Sequence, residues 1–99
     1  MYLAENLEEY VMKIVINKAF GGFGLTDEMM KYVGYKKRNK WDSGYDYDRT
    51  DPKLIEYLEN TPKEKHRELK IVEIPDDVDW DIEEYDGKEW VSENHRTWS

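Results

Sequence analysis

The sequence predicts a small α+β domain: a two-layer sandwich whose mostly antiparallel sheet of about four strands is packed by two or three helices. Three observations lead there. Residues 11–20, VMKIVINKAF, are β-rich and apolar on both faces. Residues 26–34 and 52–60 each begin with a strong helix cap. Asp86-Gly87 stands between two alternating stretches, the strongest hairpin signal in the chain. Strands and helices in this order bury most surface as a sheet with helices against one face.

The elements follow in order. In residues 1–10, Leu3, Leu7 and Tyr10 sit at helical spacing, which predicts a short amphipathic helix. In the strand 11–20, Val11 and Val15 point one way and Met12, Ile14 and Ile16 the other, so it should be interior. It runs into Gly21-Gly22-Phe23-Gly24. Thr26 then caps a helix, with Asp27 and Glu28 in the first turn where the helix dipole favours negative charge. Met29, Met30 and Val33 form its buried stripe, and Gly34 stops it. Residues 36–51 lack apolar periodicity and read as a surface loop, in which the basic KKRNK and the acidic WDSGYDYDRTD pair locally. Asp51-Pro52 opens the helix 52–60, with Leu54, Ile55 and Leu58 inward. A second capping box predicts a helical turn over 62–67. Strands follow at 69–74, 78–85 and 88–93. The Asp86-Gly87 turn sets Tyr85 opposite Lys88 and Ile82 opposite Val91.

At 99 residues the chain has room for a single domain. Aromatic residues make up 14% of it, which argues against disorder because each ring buries much area. A formal charge of −8 argues against a direct hold on duplex nucleic acid or anionic lipid. There is no cysteine, so disulfides and cysteine zinc sites are excluded, and a cytoplasmic location is expected. No apolar run approaches the ~18 residues of a membrane helix, and the N-terminus is acidic where a signal peptide is basic. No metal and no cofactor are expected.

Three features bear on chemistry. Backbone N–H groups of a glycine turn before a helix can hold phosphate. GGFG nevertheless matches neither the P-loop nor the dinucleotide fingerprint, and a tight turn with Phe23 in the core is the competing reading. The tail Asn94-His95-Arg96-Thr97-Trp98 combines a cation with a stacking ring, a pairing suited to a nucleotide; the alternative is that Trp98 packs and Arg96 meets a carboxylate. Asp76 to Glu89 is crowded with carboxylates. Calcium or magnesium could use such oxygens, but the spacing does not match an EF-hand loop; the other readings are a solvated strand face and an acidic surface that imitates nucleic acid and fits a basic groove on a partner. Catalysis has thin support: Ser43, Ser92 and Ser99 sit in no nucleophile elbow, and His66 lies in a charged run.

The segments KIVINKAFGGFGLTDE (13–28), RTDPKLIEYLE (49–59) and LKIVEIPDDVDWDIEEYDGKEWVSENHRTW (69–98) together resemble a family of small proteins of tailed phages and prophages. The resemblance covers residues 13–98. It makes residues 1–12 an N-terminal extension of a single domain, 13–99, and 36–48 a variable loop. Ala19 stands where members often carry cysteine. The resemblance implies an accessory protein of the host cytoplasm acting in counter-defence, by sequestering a small nucleotide-like ligand or by blocking a host protein. In the first reading Gly21, Gly22 and Gly24 face phosphate beside Phe23, Arg49 and Arg96 neutralise it, and Trp90 or Trp98 stacks. Asn17 then reads a base or ribose edge, His95 lies close by, and two chains complete one pocket as a homo-oligomer. In the second, Asp79, Asp81 and Glu83 form a protein-binding face. The third reading, a nucleotide hydrolase, needs a metal or a positioned His95. The balance leans away from an enzyme.

Overall fold

Strand β1 (Val11–Asn17) pairs antiparallel with β2 (Leu69–Pro75), setting Val15 opposite Ile71 and Asn17 opposite Leu69. The computed structural model describes residues 11–76 and 78–93; the stretch 1–10 and the tail with His95, Arg96 and Trp98 lie outside the described residues. Both faces of β1 are covered, as its apolar pattern requires. On one face Val15, with Leu69 and Ile71, packs against Phe23, Leu25, Met29, Met30, Leu54, Tyr57 and Leu58. On the other, Ile14, Ile16 and Ile74 meet Trp80, Ile82 and Val91. The strand ends at Asn17 rather than residue 20, because Gly21 and Gly22 take φ of +102° and +94° and turn the chain.

Helix α1 (Asp27–Val33) begins and ends where its residues dictate. Thr26 Oγ1 accepts from the Met29 N–H at 3.1 Å, and Gly34 closes the helix in the left-handed region, φ +80°. Helix α2 (Pro52–Asn60) is capped by Asp51, which accepts from the Lys53 N–H. Leu54, Tyr57 and Leu58 are its buried residues, with Ile55 half-buried beside them. The helical turn expected over 62–67 is a single 3-10 turn, Lys63–Lys65.

Strands β3 (Trp80–Tyr85) and β4 (Lys88–Glu93) form a hairpin with Tyr85 opposite Lys88 and Ile82 opposite Val91, the register that Asp86-Gly87 dictates. The class is α+β with antiparallel pairing throughout, but the four strands form two separate two-stranded ladders instead of one sheet. The reason lies on the outer edge of β1. Val15 N–H donates to the Arg49 carbonyl at 2.8 Å, the Val15 carbonyl accepts from Arg49 Nη1 at 3.3 Å, and Asn17 N–H donates to Glu89 Oε1 at 2.8 Å. Those edge groups are satisfied without a third strand. The hairpin instead lays its apolar face, Trp80, Ile82 and Val91, across the face of β1–β2 opposite the helices.

The loop 36–48 is built around the buried Asp42. Its carboxylate accepts from the Arg38 N–H and Nε at 2.9 Å, the Tyr35 hydroxyl at 2.6 Å and the Gly44 N–H at 2.9 Å. Arg38 also reaches Asp46 at 3.0 Å, so the basic and acidic runs do pair. These donors, Arg38 first, hold the Asp42 carboxyl far below the ordinary carboxylate range. A carboxyl depressed in the folded state adds stability above its unfolded pKa of ~3.9 and loses it as pH falls. Asp42→Asn is therefore expected to destabilise the protein at pH 7. The gap from wild type should narrow steadily below about pH 4, as urea melts at pH 7, 5 and 3 will show.

Candidate functional site

The hairpin is fastened by a buried polar joint. Alternation puts Glu89 on the inward face of β4 with Val91, and its carboxylate is buried. A buried carboxylate needs a cation and donors, and Arg49 supplies both with two parallel bonds of 2.7 and 2.9 Å. The guanidinium carbon lies 3.7 Å from the centre of the Phe23 ring, so the cation sits on a buried aromatic face. Asn17, only 1% exposed, donates through Nδ2 to the carbonyls of Ala19 at 2.6 Å and Gly87 at 2.7 Å. Gly21 N–H donates to the Asp86 carbonyl at 3.2 Å. The hairpin turn is thereby seated in the glycine turn.

This geometry places the residues expected to hold a ligand. Asn17, Gly21, Gly22, Phe23 and Arg49 do converge, but on Glu89 and the Asp86-Gly87 turn. The Gly21 N–H, the Asn17 amide and the Arg49 guanidinium are already bonded there. Gly22 is pressed against Gly87, and Gly24 is buried beside Arg67 and the Ser43 carbonyl. Gly21 and Gly22 supply positive φ, since a side chain at either would meet nothing within 4 Å; the close approach of backbone to backbone is made by Gly87. Trp90 lies on the opposite, outward face of β4, away from the joint. Glu89 is the member of this joint that the sequence reading missed. Its signal was present: it shares the face of inward-pointing Val91, where a carboxylate demands a partner.

The outward face of the hairpin carries Asp81, Glu83 and Tyr85 from β3 and Lys88, Trp90 and Ser92 from β4. Trp90 is 45% exposed and Tyr85 71%. Phe20, 69% exposed, joins them through Lys88, whose Nζ lies 5.1 Å from the centre of its ring. Asp79 is exposed just before β3, so the three carboxylates proposed for protein binding lie together on and beside one exposed strand. Among the described residues no group of three or more His, Asp or Glu side chains could hold a metal ion, and no helix is long and apolar enough to cross a membrane. The imidazole of His66 is engaged through Nε2 with the Thr61 carbonyl at 2.9 Å, a bond that ties its loop. No protein-family model, curated protein or solved structure matches the chain.

Proposed function

We propose that this protein binds without turnover and docks on a basic surface of a partner protein through the outward face of β3–β4. The observation that carries this reading is the set of exposed rings, Tyr85 and Trp90 on the hairpin and Phe20 next to it against Lys88, beside Asp79, Asp81 and Glu83. Large rings supply contact area at low entropy cost and dominate binding hot spots. Carboxylates around them steer a cationic partner and set orientation. A lone hairpin is marginal in water; the Arg49–Glu89 joint and the apolar inward face hold this one in place. The resemblance to small phage proteins makes a host defence enzyme, met in the host cytoplasm, the natural partner. Sequestration of a nucleotide-like ligand at the glycine turn is less well supported, since donors it would use are spent within the joint.

Affinity capture from host extract tests this with four proteins: wild type, Trp90→Ala, Asp79→Lys/Asp81→Lys/Glu83→Lys, and the control Lys31→Ala on α1. A single protein held by wild type and control, and lost by both hairpin variants, is the expected result. With that partner purified, affinity should fall about tenfold or more between 50 and 300 mM salt, as screening predicts for steered charge pairs. A partner retained equally by all four proteins would overturn the reading.

A further inference from the structure

We propose that β2 joins two copies of this chain: its open edge pairs antiparallel with β2 of a second copy, about a two-fold axis at Val72. This inference does not rest on the hairpin reading.

The two edges of the β1–β2 ladder are finished differently. Val15 turns both its N–H and its carbonyl outward to Arg49. In an antiparallel ladder, directly opposite residues either both turn their backbone groups inward or both turn them outward, in alternation. Ile71 stands opposite Val15, so its N–H and carbonyl face away from β1, and two residues on the same holds for Glu73. On β1 such outward groups are met by Arg49 and Glu89. On β2 no described group meets those of Ile71 and Glu73. The open stretch has defined ends. Leu69 N–H is given to the His66 carbonyl at 3.0 Å, and Pro75 has no N–H to give. An unpaired strand edge of this kind is a template for another strand.

A second β2 matches this edge group for group. With Val72 opposite Val72 of the other copy, Ile71 stands opposite Glu73. The Ile71 N–H then donates to the Glu73 carbonyl, the Glu73 N–H donates to the Ile71 carbonyl, and the two-fold axis repeats both bonds. The next pair outward is Leu69 with Pro75, where neither residue has a donor left. The side chains agree with this register. Half-buried Val72 meets itself across the axis, Lys70 stands opposite Ile74 and Glu73 opposite Ile71, so no like charges are directly opposed. The free edge of β3 fails the same test, because its central registers set Glu83 opposite Asp81 or Glu83 of the other copy. Strand β4 already lies against β1 at the Glu89 joint. A two-stranded ladder is marginal alone, and the pairing extends two of them into one continuous sheet. Opposed residues share a face, so both hairpins stand on one side of that sheet and the helices on the other.

The chain has no cysteine, so one introduced thiol reports the register. Val72→Cys puts the two thiols on the axis, where Cα atoms of a non-hydrogen-bonded pair lie about 4.5 Å apart, within disulfide reach. Lys70→Cys sets them about 14 Å apart along the strand, out of reach. Oxidised glutathione should link Val72→Cys into a dimer on a non-reducing gel and leave Lys70→Cys unlinked. Sedimentation velocity in salt of about 300 mM screens the repulsion between two chains of charge −8. Wild type should pass from monomer to dimer over about 5–500 µM. Glu73→Pro removes an outward donor and no bond to β1, so it should fold as wild type and dimerise at least about tenfold more weakly. Trp90→Ala should dimerise as wild type does. If Glu73→Pro melts early, the two thiol variants decide. A wild type that stays monomeric throughout overturns the proposal. A dimer untouched by Glu73→Pro, or linkage that is equal at positions 72 and 70, places the contact elsewhere and does the same.

Discussion

Arg49→Ala is expected to cost about 3–5 kcal/mol of folding stability, the range found when one partner of a buried ion pair is removed. The substitution leaves the Glu89 carboxylate, whose side chain is 8% exposed, with the Asn17 N–H still donating to it and no cation beside it. It also removes the Nη1 bond to the Val15 carbonyl and the cation over Phe23. Domains of this size hold about 5–15 kcal/mol in all, and each kcal/mol moves the midpoint by about 4–8 °C. A fall of about 12–40 °C in melting temperature follows from these two figures. Arg49→Met/Glu89→Leu should be the milder variant, because it removes both charges together and leaves neither stranded. Urea denaturation of wild type, Arg49→Met, Glu89→Leu and the double variant measures the coupling. A loss of under about 1 kcal/mol for Arg49→Ala, the level of an exposed pair, would show that the joint does not depend on it. Hydrogen exchange adds a local readout: the Asn17 amide, bonded to Glu89, should lose protection earlier than amides of α1.

The parts of this fold that were legible in the sequence depend on neighbours in the chain. Helix α1 follows from Thr26 and Gly34, the hairpin register from Asp86-Gly87, and the Arg38–Asp42 pairing from residues four apart. The interior position of β1 was legible because apolar residues on both faces need two covers. The division into two ladders was not. It turns on Arg49 giving its carbonyl and its guanidinium to the edge of β1, and no local pattern marks an arginine as a stand-in for a strand. The glycine turn was ambiguous for a physical reason. A left-handed turn calls for glycine whether its N–H groups meet a phosphate or a carbonyl, and here the Gly21 N–H meets the Asp86 carbonyl, far along the chain.

Gly87→Ala is expected to unseat the hairpin, at a cost of about 2–5 kcal/mol. Two effects combine. Gly87 has φ +91°, and a left-handed backbone costs a residue with a side chain about 1–2 kcal/mol. A Cβ at this position would also lie 2.2 Å from the Gly22 nitrogen and 2.6 Å from the Gly21 nitrogen, both backbone atoms that no rotamer can move aside. Overpacking of this kind adds about 1–3 kcal/mol. Gly21→Ala is the matched comparison. Its φ is +102°, but a Cβ there meets nothing within 4 Å, so it should cost only the backbone part, about 1–2 kcal/mol. The difference between the two variants isolates the seating of one turn in the other. If the hairpin lifts, the Asn17 bond to the Gly87 carbonyl and the Gly21 bond to the Asp86 carbonyl go with it. Trp90 fluorescence should then shift, and partner binding should weaken although position 87 is not among the outward-facing side chains. Equal costs for Gly87→Ala and Gly21→Ala would mean that the seated turn adds nothing, and that the Arg49–Glu89 pair and the apolar inward face hold the hairpin alone.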